Sequence, residues 1–276
     1  MHARSAVVDL YGDHLRRRGW WAPVSAVVAL SATVGVRPPA ARTAISRLVA
    51  QGWLTADPRA AGRGYAASAA AQDRWDLAHA RVYAAGPGPW DGRWHVVHVD
   101  AGGERRRRDQ VGTTLSYLGY GRLGGGTWVS PRPSPELAAS LDRLGARWTA
   151  VHGALDAPSE APALAAQVWD LSSLGSAYAR FEDLGVRAAD EGAADARSAY
   201  AARTRLVHEW RRFLFLDPDL PAAVLPSDWA GHRARQVFLA TAATLAPAAD
   251  RFVELTLAAS APAPGRSSSA TSARLD

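Results

Sequence analysis

Arg42, Thr43, Ser46 and Arg47 recur at a spacing that puts them on one face of a helix, with no carboxylate among them. Two guanidinium forks beside two short hydroxyls can grip an anion, either a phosphate or the acceptor edge of a guanine. Arg37 precedes this group, Arg59 and Arg63 follow it in a glycine-containing turn, and Tyr65 closes the turn. A second basic run, Arg105 to Arg108, opens a predicted helix. Consecutive residues fan around a helix, so only part of the run can converge on one ligand. Arg105, Arg106 and Arg108 are the candidates there. A third group, Trp210 and Arg211 with Phe215, sets aromatic surface beside a cation at a predicted helix end. His95 and His98 sit three apart on a predicted strand and so face opposite sides, a poor metal pair. No glycine-rich phosphate loop, nucleophile elbow or paired-carboxylate motif is present, so the reading assigns no catalytic residue and no enzyme activity.

The elements that must carry these residues are legible in outline. Val7, Leu10, Tyr11 and Leu15 mark a first helix, which Arg16-Arg17-Arg18-Gly19 ends, and Val24 to Val34 a second. The third begins at Pro38-Pro39, where a missing N–H costs little, buries Ala41, Ile45, Leu48 and Val49, and stops at Gly52. Trp53 to Thr55 and Tyr65 to Ala67 form a hairpin around a turn over Pro58 to Gly64. Three helices and a hairpin make a winged helix, which lays its third helix in the DNA major groove and its wing against the backbone. That gives Arg37, Arg42, Thr43, Ser46, Arg47, Arg59, Arg63 and Tyr65 a shared role as DNA contacts.

Beyond a linker helix over Ala69 to Ala85, in which Trp75, Leu77, Ala78 and Val82 offer packing positions, "GPGP" at 86–89 is the clearest boundary. The strand "RWHVVHV", a helix over 104–118, a weak element near Tyr120 to Leu123, the strand "TWVSP", a helix over 135–144 and the strand "RWTAVHG" give a ferredoxin-like βαββαβ order. The chain then turns helical, and its last stretch, "SAPAPGRSSSATSARLD", has the composition of a disordered tail. The expected architecture is α+β and multidomain: winged helix plus linker at 1–85, ferredoxin-like domain at 90–162, helical domain at 163–258 and tail at 259–276.

Composition bounds the partners. The 276 residues hold 48% hydrophobic side chains and no cysteine, which excludes disulfides and thiolate metal sites and suits a reducing cytoplasm. No signal segment and no stretch long enough to span a membrane is apparent. Residues 1–85 carry 11 Arg against 5 acids, whereas the rest of the chain balances, so the whole net charge of +6 lies in the first segment. A polyanion-binding module joined to electroneutral partners is the simplest account.

"LYGD", "RTAISRLVAQGWL", "WDGRWHVV", "LGYGRLGGGTWVSP", "VWDL" and "FLDPDLPAAVLPSDWAG" occur in the order found in the PaaX-type transcriptional repressors, which the chain resembles from about residue 4 to residue 257. The resemblance implies an N-terminal winged helix, a central domain similar to Cas2, and a helical C-terminal domain. The family regulates phenylacetate catabolism, and the resemblance further implies a homodimer on a palindromic operator, released by an aryl-CoA thioester such as phenylacetyl-CoA. For that effector Arg105, Arg106 and Arg108 could meet phosphates, and Trp210 with Arg211 the acyl end. Apolar positions around Phe238, Leu245, Phe252 and Leu255 are long enough in extent to serve a core and a dimer interface. The alternative is a metal-dependent nuclease using Asp100 at the end of the first strand of the Cas2-like unit. Where the family follows the wing with a leucine-threonine pair, this chain has Ala67-Ser68, and Ser68 can still cap the linker helix.

Overall fold

A computed structural model describes residues 1–60, 62–86 and 88–260. The chain divides into two compact units. The first comprises Met1–Ala80, Ala189–His208 and the segment from Ala243; the second comprises Arg81–Ala188 and Glu209–Ala242.

In the first unit, α1 (Ala3–Asp9) continues as a π-helical turn over Leu10–Leu15 and a 3-10 turn over Arg16–Arg18. Val7, Leu10, Tyr11 and Leu15 are fully buried, as the apolar spacing requires, while the widened π turn itself had no sequence signature. Gly19 then takes a left-handed φ of 74° and the chain enters β1 (Trp21–Pro23). This short strand has no sequence signature, because three residues carry no readable alternation. Helices α2 (Val24–Thr33) and α3 (Pro38–Ala50) lead to β2 (Leu54–Ala56) and β3 (Gly64–Ala67), which with β1 form an antiparallel sheet in the order β1-β3-β2. Ser68 donates to the Gly52 carbonyl at 2.7 Å and receives the Ala71 N–H at 3.3 Å, so it caps α4 (Ala69–Val82). Trp75 and Val82 of α4 are buried, but Leu77 is 69% exposed and is not the packing position that its hydrophobicity suggested.

The same unit holds the first turns of α9 (Ala196–Arg211) and the later turns of α11 (Ala230–Ala259). Arg203 of α9 forms a bidentate pair with Asp13, His208 Nδ1 lies 2.8 Å from Asp9 Oδ2, and His14 Nε2 lies 3.2 Å from Thr204 Oγ1. Arg18 pairs with Asp250 at 3.1 Å and Glu254 at 3.0 Å on α11. These carboxylates recur four residues apart, one turn, so a single guanidinium reaches both.

In the second unit, β4 (Arg93–Asp100), β5 (Gly121–Gly124), β6 (Thr127–Ser130) and β7 (Arg147–Ala154) form an antiparallel sheet in the order β5-β6-β4-β7. Helices α5 (Arg105–Tyr117) and α6 (Leu137–Arg143) complete the expected βαββαβ order. Alternation along β4 feeds two cores: Val97 and Val99 pack with Leu115 and Leu141, while Trp94 packs with Val129, Leu220 and α7 (Ala161–Val168). Helix α8 (Leu171–Gly192) and the short α10 (Phe213–Leu216) belong to the helical remainder. Helix α11 extends through Ala259, one residue into the predicted tail, and 261–276 lie outside the described residues. Phe238 and Leu245 of α11 are buried, whereas Leu255 is exposed.

Burial lowers the pKa of His14 to about 4, against a weaker opposing pull from Asp13. The ring is therefore neutral near pH 7, and its bond to Thr204 is that of a neutral imidazole. Because the folded pKa lies below the unfolded value, the unfolded chain binds more protons between about pH 4 and 6.5, and stability falls on acidification through that window. We expect this site to contribute a loss of about 2 kcal/mol by about pH 5. Urea unfolding of the parent and of His14→Gln at neutral and acidic pH measures it: the variant should show a flatter pH dependence.

Candidate functional site

Helix α3 presents the basic face as its sequence pattern requires. Arg37 is the N-cap in extended conformation, with Pro38 and Pro39 in the first turn. Ala41, Ala44, Ile45 and Leu48 are buried; Val49 is only half-buried, and Ala44 takes the core position assigned to it. Arg42, Thr43, Ser46 and Arg47 are exposed together. Thr43 donates to the Pro39 carbonyl at 3.0 Å, which ties its hydroxyl to the helix. Helix α3 ends with Gly52 at φ 72° and the Trp53 N–H donating to the Leu48 carbonyl at 2.9 Å, so the chain leaves sharply into β2.

The turn between β2 and β3 uses its two arginines differently. Arg59 donates to Asp57 Oδ2 through Nη2 at 2.7 Å and through Nε at 2.9 Å, and its guanidinium lies 4.9 Å from the Trp21 ring centroid. Trp21 in turn donates through Nε1 to the Asp57 carbonyl at 2.8 Å. Arg59 thus braces the turn. Arg63 is exposed and, like Arg37, Arg42 and Arg47, has no ion-pair partner among the described residues. The Arg63 carbonyl accepts from the Val24 N–H at 3.0 Å, which holds the turn to the start of α2. Tyr65 is half-buried, and its carbonyl accepts the Tyr11 hydroxyl at 2.9 Å. Burial pushes the pKa of that hydroxyl up, so it remains a donor.

Behind the turn, Trp75 stacks on Tyr11 and Trp20, with centroids 5.7 and 5.9 Å away, and meets Trp53 at 5.5 Å. Arg4 and Arg74 lie over Trp53 at 5.9 and 5.4 Å. This aromatic block packs the hairpin against α4.

The other candidate groups separate in the second unit. Arg105 and Arg108 border an open depression of about 870 Å³ that His98, Asp100 and Arg122 also line. Arg105 is 90% exposed and only 3.9 Å from Asp109; Arg106 is exposed without an ion-pair partner among the described residues. Trp210 is a core residue: it donates to the Val82 carbonyl at 3.0 Å and stacks on Phe238 at 4.8 Å. It borders a small cavity beneath Arg235, whereas Arg211 lines neither that cavity nor the depression at α5. A third cavity, of about 550 Å³ and open on one side, is lined by Trp90, Trp229, Leu220, Leu225, Tyr178 and Arg235, among others. Sequence reasoning missed Arg235 and this cavity, since its walls come from four separated segments that share no local pattern.

Asp100 accepts the Gly102 N–H at 3.0 Å and the Arg147 guanidinium at 2.7 Å, and these bonds hold its carboxyl below the usual carboxylate range. His95 Nδ1 lies 2.6 Å from the Tyr120 hydroxyl, and burial lowers its pKa. Among the described residues no three His, Asp or Glu side chains are grouped to hold a metal ion.

Comparison with known proteins adds to this geometry. Three family models match in succession: PaaX-like protein over residues 2–71, PaaX protein central Cas2-like domain over 87–165, and PaaX-like protein C-terminal domain over 169–255. Transcriptional repressor PaaX of Escherichia coli strain K12 is 29% identical over 277 residues, covering 95% of this chain and 87% of that protein. The structure of an uncharacterized protein from Mycobacterium tuberculosis is 27% identical with a TM-score of 0.60, over 92% of this chain and 98% of that one.

The basic turn is held at Gly64, where an added Cβ would stand 2.5 Å from the Trp21 ring and 2.7 Å from the Ala22 carbonyl oxygen. The Ala22 oxygen is backbone of β1 and yields only by shifting that strand, and the Trp21 ring yields only by leaving Asp57 and Arg59. Gly64→Ala is expected to destabilise the protein by about 1–3 kcal/mol. Urea unfolding checks this, with Gly88→Ala, which meets nothing within 4 Å, as the control.

Proposed function

Since the chain belongs to the PaaX-type family of transcriptional repressors, we propose that it is a repressor that binds operator DNA through a winged helix at its N-terminus. The family is one of regulators and not of enzymes. No helix among the described residues is long and apolar enough to cross a membrane. The observation that carries the proposal is the group of exposed arginines on α3 and its turn, Arg42, Arg47 and Arg63, with no acidic partner among the described residues. Such cations are costly to cluster unless an anion joins them.

In this reading α3 enters the major groove. Arg42 and Arg47 reach guanine edges, Thr43 and Ser46 contact bases or phosphates, and Arg37, Arg63 and Tyr65 position the backbone. Arg59 serves the wing by shaping it through Asp57 and Trp21. One recognition helix covers few base pairs, so a homodimer on a palindrome supplies the second half-site about one helical turn away. An aryl-CoA thioester, such as phenylacetyl-CoA, is the effector that releases DNA, which requires it to prefer the DNA-free arrangement. A nuclease reading has no support in the geometry around Asp100, whose oxygens are bound by Gly102 and Arg147.

Gel shifts on DNA from upstream of the gene itself test this. Arg47→Ala should weaken specific binding by about 1–3 kcal/mol and relax sequence preference. Arg63→Ala should weaken specific and non-specific binding alike and reduce the salt slope by about one. Wild-type binding by both variants would overturn the winged-helix assignment. Phenylacetyl-CoA should dissociate the parent complex, and light scattering should report a dimer.

A further inference from the structure

Arg105 and Arg108 of α5 and Arg122 of β5 come from separate elements and meet around the open depression of about 870 Å³. The acids beside them do not neutralise the group. Asp100 is taken by Arg147 and the Gly102 N–H, and Asp109 reaches only Arg105, at 3.9 Å with both side chains exposed. Glu104 lies 4.0 Å from Arg107. Arg106, Arg108 and Arg122 are exposed and have no ion-pair partner among the described residues. Like charges gathered in this way repel one another until a polyanion joins them.

The shape of the depression selects the polyanion. Its inner wall is Val99, Val111 and Trp128, all buried, and the exposed Gly102 and Gly125 also line it. No side chain rises at those glycines, so a broad, stiff partner can approach closely. The guanidiniums stand at the open side, Arg105 being 90% exposed, where they lose little hydration. A small phosphorylated ligand is held by enclosure and by desolvated donors, and the residues lining this depression provide neither. Single-stranded nucleic acid needs exposed rings on which its bases stack. The depression presents the small His98 ring, and no exposed Trp, Tyr or Phe among the described residues lines it. What remains is a polyanion that carries a regular row of phosphates on its outer surface, as the backbone of duplex DNA does.

We propose that this basic surface of the second unit is a second, sequence-independent contact for the phosphate backbone of duplex DNA. The proposal rests on the reading of the chain as an operator-binding repressor. The surface adds affinity without selecting bases, since phosphate contacts carry no direct sequence information.

Fluorescence anisotropy of the full-length protein on operator duplex and on a duplex of unrelated sequence tests it. A variant combining Arg106→Gln, Arg108→Gln and Arg122→Gln should bind both duplexes about tenfold more weakly or worse. Its salt slope should fall by about two to three, with the preference for operator and the thermal melt unchanged. A second variant combining Arg93→Gln, Arg180→Gln and Arg187→Gln removes the same charge from exposed positions of the unit that have no ion-pair partner among the described residues. It should bind both duplexes as the parent does. Should the first variant melt early, Arg122→Gln alone decides, with a salt slope lower by about one. Parent-like affinity and slope in the first variant, an equal loss in the second, tighter binding of single-stranded than of duplex DNA, or displacement of the unrelated duplex by micromolar coenzyme A overturns the proposal. A third variant combining Arg42→Ala, Arg47→Ala and Arg63→Ala separates it from the winged-helix reading. If the third variant loses operator preference while the first binds like the parent, this surface falls and the winged-helix reading stands. If the third binds operator like the parent while the first loses affinity for both duplexes, the winged-helix reading falls and this surface stands.

Discussion

The buried charge pairing between the N-terminal helix and α9 is the constraint on which the first unit is built. Asp13 is almost wholly desolvated, as is Arg203, and each would be prohibitive to bury alone. Their bidentate pairing, with Asp9 on His208 and His14 on Thr204, requires α9 to lie against the π-helical turn in one register. The π turn makes this possible. A wider turn lets Asp13 and His14 reach α9 while Leu10, Tyr11 and Leu15 still face the apolar core. Arg18, one turn further on, adds α11 to the same arrangement through Asp250 and Glu254. Breaking such a pair by removing one partner costs far more than the pair contributes when intact, so its effect is specificity of packing more than net stability.

Ion pairs elsewhere in the first unit make the basic excess of residues 1–85 unevenly available. Arg16 is held by Asp76, Arg18 by Asp250 and Glu254, and Arg59 by Asp57. Arg4 and Arg74 lie over the Trp53 ring. Arg37, Arg42, Arg47 and Arg63 have no such engagement among the described residues, nor does the exposed Arg17; the first four lie at α3 or in the turn between β2 and β3. A net charge spread over a surface attracts polyanions weakly and without orientation; unneutralised guanidiniums gathered on α3 and the turn that follows it orient what they attract.

The second unit solves a different problem, that of a four-stranded sheet whose two faces must both find cover. Alternation along β4 sends Val97 and Val99 to one core and Trp94 to the other. The second core includes Leu220 and Val224, from the segment leading into α11, and the same segment forms part of the cavity wall around Arg235. Packing of the sheet and shaping of the cavity are therefore one structural event. Helix α11 carries Arg235 near its start and Asp250 and Glu254 in its later turns, with Pro247 between them. Proline removes one intrahelical hydrogen bond there, the point at which a long helix bends most readily.

Local pattern was sufficient wherever a residue's role depended on neighbours in sequence. The 3.6-residue spacing of Ala41, Ile45 and Leu48 places Arg42, Thr43, Ser46 and Arg47 outward without reference to anything else in the chain. The strand alternations, the glycine at the end of α3 and even the weak β5 hairpin followed from the same short-range rules, as did the βαββαβ order. Tertiary structure alone decided the rest. Arg59 and Arg63 look alike in sequence, yet Asp57 and Trp21 engage one and leave the other free. Trp210, read as a ligand contact, is a core residue, and Arg235, which no local pattern singles out, stands on a cavity wall, because that wall is assembled from segments near residues 85–90, 178, 217–225 and 229–239. A residue's face on a helix is set by a period of a few residues, but its partners across a core or a cavity are set by loop closures of tens to hundreds, over which one sequence carries no readable signal.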